Sequence, residues 1–170
     1  MIKAIDTFYN GNYFRARLEA RWAVFFNECG IKYIYEPEGF VLENGQWYLP
    51  DFYLPQLDCY VEVKPFSGGT LKDADVKSHL DYKLKWVPFS HEKMLALLFG
   101  VPHANAFPVL GDPMYKEQVD EEFPFCWNEF YKDCYGLRFW VQSGTDSDKG
   151  YLKEDAVLKA NCKRFEHNQV

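Results

Sequence analysis

What this sequence lacks narrows its identity first. Its longest apolar stretch, Met94–Val101, falls far short of the ~20 residues that cross a bilayer, and the N-terminal MIKAIDTFYN has no apolar run of the kind a signal peptide needs. A soluble, cytoplasmic chain is therefore expected. Cysteine is scarce and unpatterned: the five residues, at positions 29, 59, 126, 134 and 162, contain no C-x-x-C pair. That excludes a disulfide framework and a ribbon-type zinc site, and it fits a reducing compartment. The four histidines, at 79, 91, 103 and 167, have no ligand-like spacing and read as ordinary residues. Positive charge is also short. With 19 Lys and Arg against 25 Asp and Glu, the net charge of −6 argues against holding polyanions by bulk charge alone.

What is present is a folding sequence. Its 170 residues are 48% hydrophobic and 26% charged, enough for one domain, with or without an appendage. Fifteen Phe, twelve Tyr and five Trp are more rings than such a core needs, so some are expected on the surface against a partner. The acidity is concentrated in two blocks: residues 36–111 sum to −4 and 112–133 to −5, while 1–35 sum to +2 and 134–170 to +1. Within the second block the acids alternate with Phe123, Phe125, Trp127, Phe130 and Tyr131. That is a poor surface for DNA. It suits a protein-docking face or a homodimer contact, although packing on the core with the acids turned outward is the simpler account.

The periodicities predict one α/β core. Phe14, Leu18, Trp22, Phe25 and Cys29 form an apolar stripe at helical spacing, with Asn12 as a candidate cap and Gly30 as a stop. Arg15, Glu19 and Phe26 fall on one border of that stripe, and Arg17 and Arg21 on the other. Ile31–Glu36, Phe40–Glu43, Gln46–Tyr48, Asp51–Leu54 and Cys59–Lys64 read as strands, with Asn44-Gly45 as a hairpin turn. A helix capped by Thr70, with Asp73 in the capping box and a stripe of Val76, Leu80 and Leu84, is expected to end before Pro88. Lys93–Val101, Phe107–Leu110 and Leu137–Gln142 read as strands, and Lys153–Phe165 as a last helix. Residues 1–111 would form the core and 112–170 a C-terminal extension packed on it.

The hairpin around Pro55-Gln56-Leu57-Asp58 has one register that keeps charge out of the core. If Gln56 and Leu57 form the loop, Asp51 stands opposite Glu62, Phe52 opposite Val61, Tyr53 opposite Tyr60 and Leu54 opposite Cys59. Phe52, Leu54, Cys59, Val61 and Val63 then share an apolar face. Asp51, Tyr53, Tyr60, Glu62 and Lys64 share the other, with the β-carbons of Asp51 and Glu62 roughly 5 Å apart. Two facing carboxylates, a lysine beside them and Glu19 on a helix border make a surplus of half-buried charge. Such clusters share protons or cations, and an all-oxygen set suits Mg²⁺, with Mn²⁺ as a substitute.

Pro50-Asp51, ten intervening residues and Glu62-Val63-Lys64 resemble the signature of the PD-(D/E)XK nuclease superfamily, with Glu19 at its upstream helical acid. Phe14-Arg15-Ala16-Arg17-Leu18-Glu19, Gly30-Ile31-Lys32-Tyr33, Tyr35-Glu36, Pro50-Asp51-Phe52, Leu54-Pro55 and Val61-Glu62-Val63-Lys64 are similar in order and spacing to phage endonuclease I-type junction-resolving enzymes. The likeness spans residues 13–65. It implies a restriction-endonuclease-like core with a mixed central β-sheet flanked by helices, in a bacterial or phage-infected cell. It also implies two-metal hydrolysis of DNA phosphodiesters, with branched or structured DNA among the candidate substrates. Asp51 would bridge two metals, Glu62 and the Val63 carbonyl would complete the first site, and Glu19 would hold the second. Lys64 would orient or activate the attacking water, the 3′ oxygen would leave, and a 5′ phosphate would remain. Arg15, more than Arg17, is the candidate grip on DNA phosphates.

Blander accounts compete with each of these. Asp51 and Glu62 could be solvated hairpin acids with Lys64 as their counter-ion, and Glu19 an i, i+4 partner of Arg15. Glu36 and Glu38 read as surface acids, and Lys77, His79 and Lys83 as a solvated face. A non-catalytic or inhibitory protein-binding module, using the acidic aromatic third, is the alternative function.

Overall fold

The computed structural model describes residues 5–67, 70–102, 109–111, 113, 126–133, 136–141 and 154–165, with the backbone course alone for 126–133 and 136–141. A hairpin of β1 (Thr7–Tyr9) and β2 (Asn12–Phe14) leads into α1 (Arg17–Glu28). Then come β3 (Ile34–Tyr35), β4 (Phe40–Val41), β5 (Trp47–Tyr48), β6 (Phe52–Leu54) and β7 (Cys59–Lys64). A helical crossover follows: α2 (Asp73–Lys77), a π-helical turn (Tyr82–Trp86) and α3 (Val87–Ser90). The chain then runs through β8 (Leu95–Phe99), β9 (Val109–Gly111), β10 (Cys126–Asp133), β11 (Gly136–Val141) and α4 (Glu154–Cys162). The fold is mixed α/β.

One seven-stranded sheet has the order β11-β10-β9-β8-β7-β6-β3, and β1-β2 and β4-β5 are separate ribbons. Every neighbouring pair in the large sheet is antiparallel except β7 and β8, which are joined by the helical crossover and run parallel. Three pairs of the hairpin are the expected ones, Phe52 with Val61, Tyr53 with Tyr60 and Leu54 with Cys59, but the ladder stops there and Asp51, expected opposite Glu62, does not pair with it. Both faces of the sheet are covered, which is why β8, LALLF, is apolar at every position and buried along its length. On one face Phe52, Leu54, Val61, Val63, Ala96 and Leu98 pack with α1 and α4. On the other Tyr60, Leu95, Leu97, Phe99 and Val109 meet Tyr48, Val76, Tyr82, Trp86 and Phe89.

The first helix departs from its expected start. Phe14 belongs to β2, and Asn12 does not cap; α1 opens after Ala16 with no side-chain cap. Its end is as expected. Gly30 takes φ +66° while its N–H reaches the Asn27 carbonyl and the Ile31 N–H reaches Phe26, a closing geometry that glycine adopts without strain. The buried surface of α1 is also wider than one stripe, since Ala20, Ala23, Val24 and Phe26 join Trp22 and Phe25. The reason is α4. Arg21 donates through Nη1 to the carbonyls of Ala160 and Asn161 at its C-terminal end, and Lys159 pairs with Glu28 at 2.7 Å.

The crossover corrects the expected single helix. The Lys72 N–H, rather than Thr70, takes part in the capping box, with Asp75. The helix breaks at residues 78–80 and resumes with a π turn, so Val76, Tyr82, Trp86 and Phe89 are buried while Leu80, in the break, is 80% exposed. Pro88 lies within the first turn of α3 and not beyond the helix, where its missing N–H costs nothing. The strand expected over Ile31–Glu36 shortens to Ile34–Tyr35. The acidic block Asp112–Asp133 lies outside the described residues apart from Pro113 and the backbone of β10, as do Phe107, Pro108, Gln142 and Lys153. Where the chain is described again, β10 extends the sheet at β9 and α4 packs on α1. Among the described residues, no helix is long and apolar enough to cross a membrane.

Phe52 is fully buried, and its ring meets those of Phe14, Phe26, Tyr33 and Tyr35. Phe52→Ala should cost about 3–5 kcal/mol in urea unfolding. Val41→Ala, at a position 73% exposed, should stay within about 0.5 kcal/mol of the parent.

Candidate active site

The candidate site forms where β6 and β7 part. Ladder pairing between them ends at Phe52 and Val61. One residue earlier, the Asp51 carbonyl accepts the Glu36 N–H at 2.9 Å, and the Asp51 side chain turns to β7 and accepts the Val63 N–H through Oδ2 at 2.7 Å. A carboxylate thus satisfies a buried amide that the ladder leaves open. Asp51 is only 5% exposed. Glu36 stands at φ +44°, a left-handed conformation uncommon for a residue with a side chain.

Glu62, also 5% exposed, is held at both oxygens: Tyr48 donates its hydroxyl to Oε2 at 2.9 Å, and Lys64 Nζ lies 2.6 Å from Oε1. Lys64 sits 3.5 Å from Asp81 and 5.9 Å over the Trp86 ring. Asp81 in turn pairs with Lys85 at 3.0 Å, and its backbone N–H meets His79 Nδ1 at 3.3 Å, with His79 stacked on Trp86. Burial pulls Lys64 down, but the charge of Glu62 and its hydrogen bond outweigh burial and leave the ammonium raised above its ordinary value. Lys64 is therefore a cation at neutral pH. Burial would raise Asp81, yet Lys85 and Lys64 hold it below its usual range.

Glu19 reaches the same region from α1. It is 9% exposed and accepts the Tyr35 hydroxyl through Oε2 at 2.6 Å, while that hydroxyl oxygen accepts the Arg15 N–H at 3.0 Å. Arg15 precedes the helix, so it is not an i, i+4 partner of Glu19. Its Nε pairs with Glu36 at 2.5 Å and its Nη2 lies 3.4 Å from Asp51 Oδ1. Arg15 is thus the cation that reaches Asp51; Arg17 opens α1 half-buried. Burial pushes Asp51 well above the ordinary carboxylate value, and the charges of Glu62 and then Glu19 push it further. Burial likewise raises Glu19, against the opposing hydrogen bond from Tyr35. Asp51 therefore feels both of the other acids, and none of the three is the solvated surface acid of the blander account.

Sequence reasoning placed Glu19, Asp51, Glu62, Lys64 and Arg15 in one neighbourhood, and the structure brings them there. It missed Tyr35, Tyr48, Glu36 and Asp81. Nothing in the pattern marks Tyr48, one aromatic among many, and Asp81 was hidden by the wrong helical phase. Glu36, read as a surface acid, is half-buried against Arg15. A cavity of about 630 Å³ opens elsewhere, between the C-terminal end of α1 and the β1-β2 hairpin, lined by Asn10, Asn12, Asn27, Lys32 and Tyr33.

The donor chemistry fits a hard divalent cation, since Asp51, Glu62 and Glu19 offer only oxygen. Their present arrangement is closed by protein donors. Among the described residues no three His, Cys, Asp or Glu side chains converge closely enough to hold a metal ion. The loosest of those donors is Arg15, whose side chain is 58% exposed and whose contact with Asp51 is the longest.

Because Asp51 and Glu19 are raised above their ordinary values of 3.8 and 4.5, the folded chain binds protons that the unfolded chain releases. The stability they contribute is complete below those ordinary values and is lost as pH rises through the raised folded ones. Asp51→Asn should therefore unfold at higher urea than the parent at pH 8, with the advantage shrinking as pH falls towards 4. A variant weaker than the parent at pH 8 would mean that Arg15 and Val63 outweigh the burial of charge.

No family model, no curated protein and no solved structure matches the chain.

Proposed function

We propose that this protein is a Mg²⁺-dependent endonuclease of PD-(D/E)XK type that hydrolyses DNA phosphodiester bonds. The observation that carries this reading is that Asp51, nearly buried, feels the charges of both Glu62 and Glu19, themselves nearly buried, with Lys64 on Glu62. Folding alone gives no reason to gather three carboxylates, since burial and mutual repulsion both oppose it. The restriction-endonuclease-like core is part of the same proposal. It is supported by a helix carrying one acid, an antiparallel hairpin carrying two, and a helical crossover to a parallel strand on the far side of β7.

Asp51, Glu62 and the Val63 carbonyl would hold one divalent cation, with Glu19 and Asp51 holding a second; Mn²⁺ should substitute for Mg²⁺. When bound, these ions supply Lewis acidity towards the phosphate and a more acidic water. The chain's own residues do the rest. Lys64, cationic and fixed between Glu62 and Asp81, would orient the attacking water and face the charge that develops on the phosphoryl oxygens. Arg15 is exposed enough to leave Asp51 and bind a substrate phosphate. With the site carrying two divalent cations, the local charge a polyanion meets is far less negative than the net charge of the chain.

One observation favours a second reading. Asp51 and Glu62 already have a protein donor on each oxygen, which suits a self-contained network in a non-catalytic or inhibitory protein-binding module. The two readings separate in a cleavage panel of linear, supercoiled, single-stranded and branched DNA with Mg²⁺. Under the nuclease reading the protein cuts or nicks at least one of these, Asp51→Ala and Glu62→Ala abolish cutting, and Lys64→Ala lowers it by roughly 10²–10³-fold. A folded wild-type protein inert on all four, with Mg²⁺ and with Mn²⁺, leaves the binding module standing.

A further inference from the structure

Two of the three site carboxylates share a feature that no motif announces: a tyrosine hydroxyl closes on one oxygen of each. Tyr48, on β5, donates to Glu62 Oε2 at 2.9 Å, and Tyr35, on β3, donates to Glu19 Oε2 at 2.6 Å. Tyr48 belongs to the β4-β5 ribbon and Tyr35 to an edge strand of the large sheet, and the two acids come from a strand and a helix. Each pairing joins separate elements, so neither follows from local chain geometry. Tyr48 is 3% exposed and packs edge-on against Phe89. Its hydroxyl therefore has little freedom to leave Glu62. Tyr35 is half-buried among Phe14 and Phe52, and its hydroxyl oxygen also accepts the Arg15 N–H.

Resting on the reading above, we propose that Tyr48 and Tyr35 are positioning residues for divalent-cation binding, Tyr48 setting the affinity of the Asp51–Glu62 site and Tyr35 that of the Glu19 site. A carboxylate that holds a metal through one oxygen needs the other fixed, or it loses rotational freedom on every binding event. A hydroxyl can do this without competing for the ion, because it donates to the oxygen turned away and brings no positive charge. A lysine or arginine in the same place would repel the cation. Both phenols are donors at neutral pH, which lies far below the ordinary tyrosine value of about 10. The donor is thus permanent across the working range. On Glu62 the two donors take different oxygens, Tyr48 on Oε2 and Lys64 on Oε1.

The test is Mn²⁺ binding to the full chain, followed by calorimetry and by the loss of free-ion electron paramagnetic resonance signal, with urea midpoints for every variant. Tyr48→Phe and Tyr35→Phe remove the hydroxyl and keep the ring. Each should weaken one class of Mn²⁺ site by about 10–100-fold, the range expected when a group orienting a metal ligand is lost. In cleavage assays the Mg²⁺ needed for half-maximal rate should rise by a similar factor, with kcat at saturating Mg²⁺ largely kept. Ser90→Ala, which deletes another buried hydroxyl bond, to the Val87 carbonyl, should cost stability and leave Mn²⁺ affinity alone. Tyrosine variants that bind Mn²⁺ as the wild type does overturn the inference while leaving the nuclease reading intact. So does Ser90→Ala weakening Mn²⁺ as much as they do. A wild type that binds no Mn²⁺ overturns the metal reading and this inference with it. If Tyr48→Phe does not fold, Tyr35→Phe, at the less buried position, decides the matter alone.

Discussion

The constraint on which the rest of this molecule turns is the burial of like charge at the seam between β6 and β7. Asp51 and Glu62 are each 5% exposed, and Glu19 is close enough to add its repulsion to Asp51. Taking ionised carboxylates out of water is costly unless each finds donors, and leaving one unpaired is worse than never burying it. The local architecture around the seam reads as the answer to that demand. Tyr48, Tyr35, Lys64, Arg15 and the Val63 N–H each close on a carboxylate oxygen. Removing any one of them transfers the cost to its partner, so these contacts are coupled and their energies do not add.

How the sheet makes room for such a cluster is a matter of register. Antiparallel pairing of β6 with β7 stops at Phe52, and the freed Val63 N–H is taken by a side chain instead of a backbone carbonyl. On its other side β7 keeps a full parallel ladder with β8, closed by the Gly100 N–H on the Lys64 carbonyl at 2.8 Å. Gly100 stands at φ +75° and its own carbonyl accepts the Trp22 indole N–H at 2.9 Å, which ties the end of β8 to α1. The strand bearing Glu62 and Lys64 is therefore rigid on one edge and open on the other. A site needs both properties, fixed donors and an approach for a ligand.

Much of this was legible in advance, for a physical reason that also marks the limit. The β6-β7 hairpin has a single register that keeps charge off the apolar face, so period-2 alternation gave the pairs from Phe52 to Cys59. The expected pairing of Asp51 with Glu62 fails because the ladder ends at Phe52 and the Asp51 side chain takes the Val63 N–H instead. Glu19 followed from the helical wheel even though α1 begins three residues after Phe14, because the phase of a helix does not depend on where it starts. Phase is also what failed in the crossover. Val76, Leu80 and Leu84 fit an ideal helix, but α2 ends at Lys77, residues 78–80 form a turn that leaves Leu80 in solvent, and the helix that resumes there, with its π turn at Tyr82–Trp86, sets Asp81 beside Lys64. Apolar spacing marked neither the break nor the widened turn. Tyr48 and Tyr35 escaped for a different reason: their hydroxyls meet acids distant in the chain, and alternation predicts only the side on which a ring lies.

The balance of charge at the seam bears on how a cation could enter. Lys64 is held by two acids, at 2.6 and 3.5 Å, and is only 22% exposed, whereas Arg15 is largely in solvent and touches Asp51 at the limit of an ion pair. The two cations are thus unequal. Lys64 would have to abandon a short bond in a half-dry setting, where an unpaired charge is costly; Arg15 gives up a long one and keeps Glu36 as its partner. An incoming divalent ion would accordingly meet Asp51 by displacing Arg15 first and leave Lys64 where it is. Under the nuclease reading Arg15 would keep Glu36 as its partner while its Nη2 left Asp51. A planar, permanently charged fork can meet a phosphate bidentately, so the group that neutralises Asp51 here would also be the group to receive a substrate phosphate.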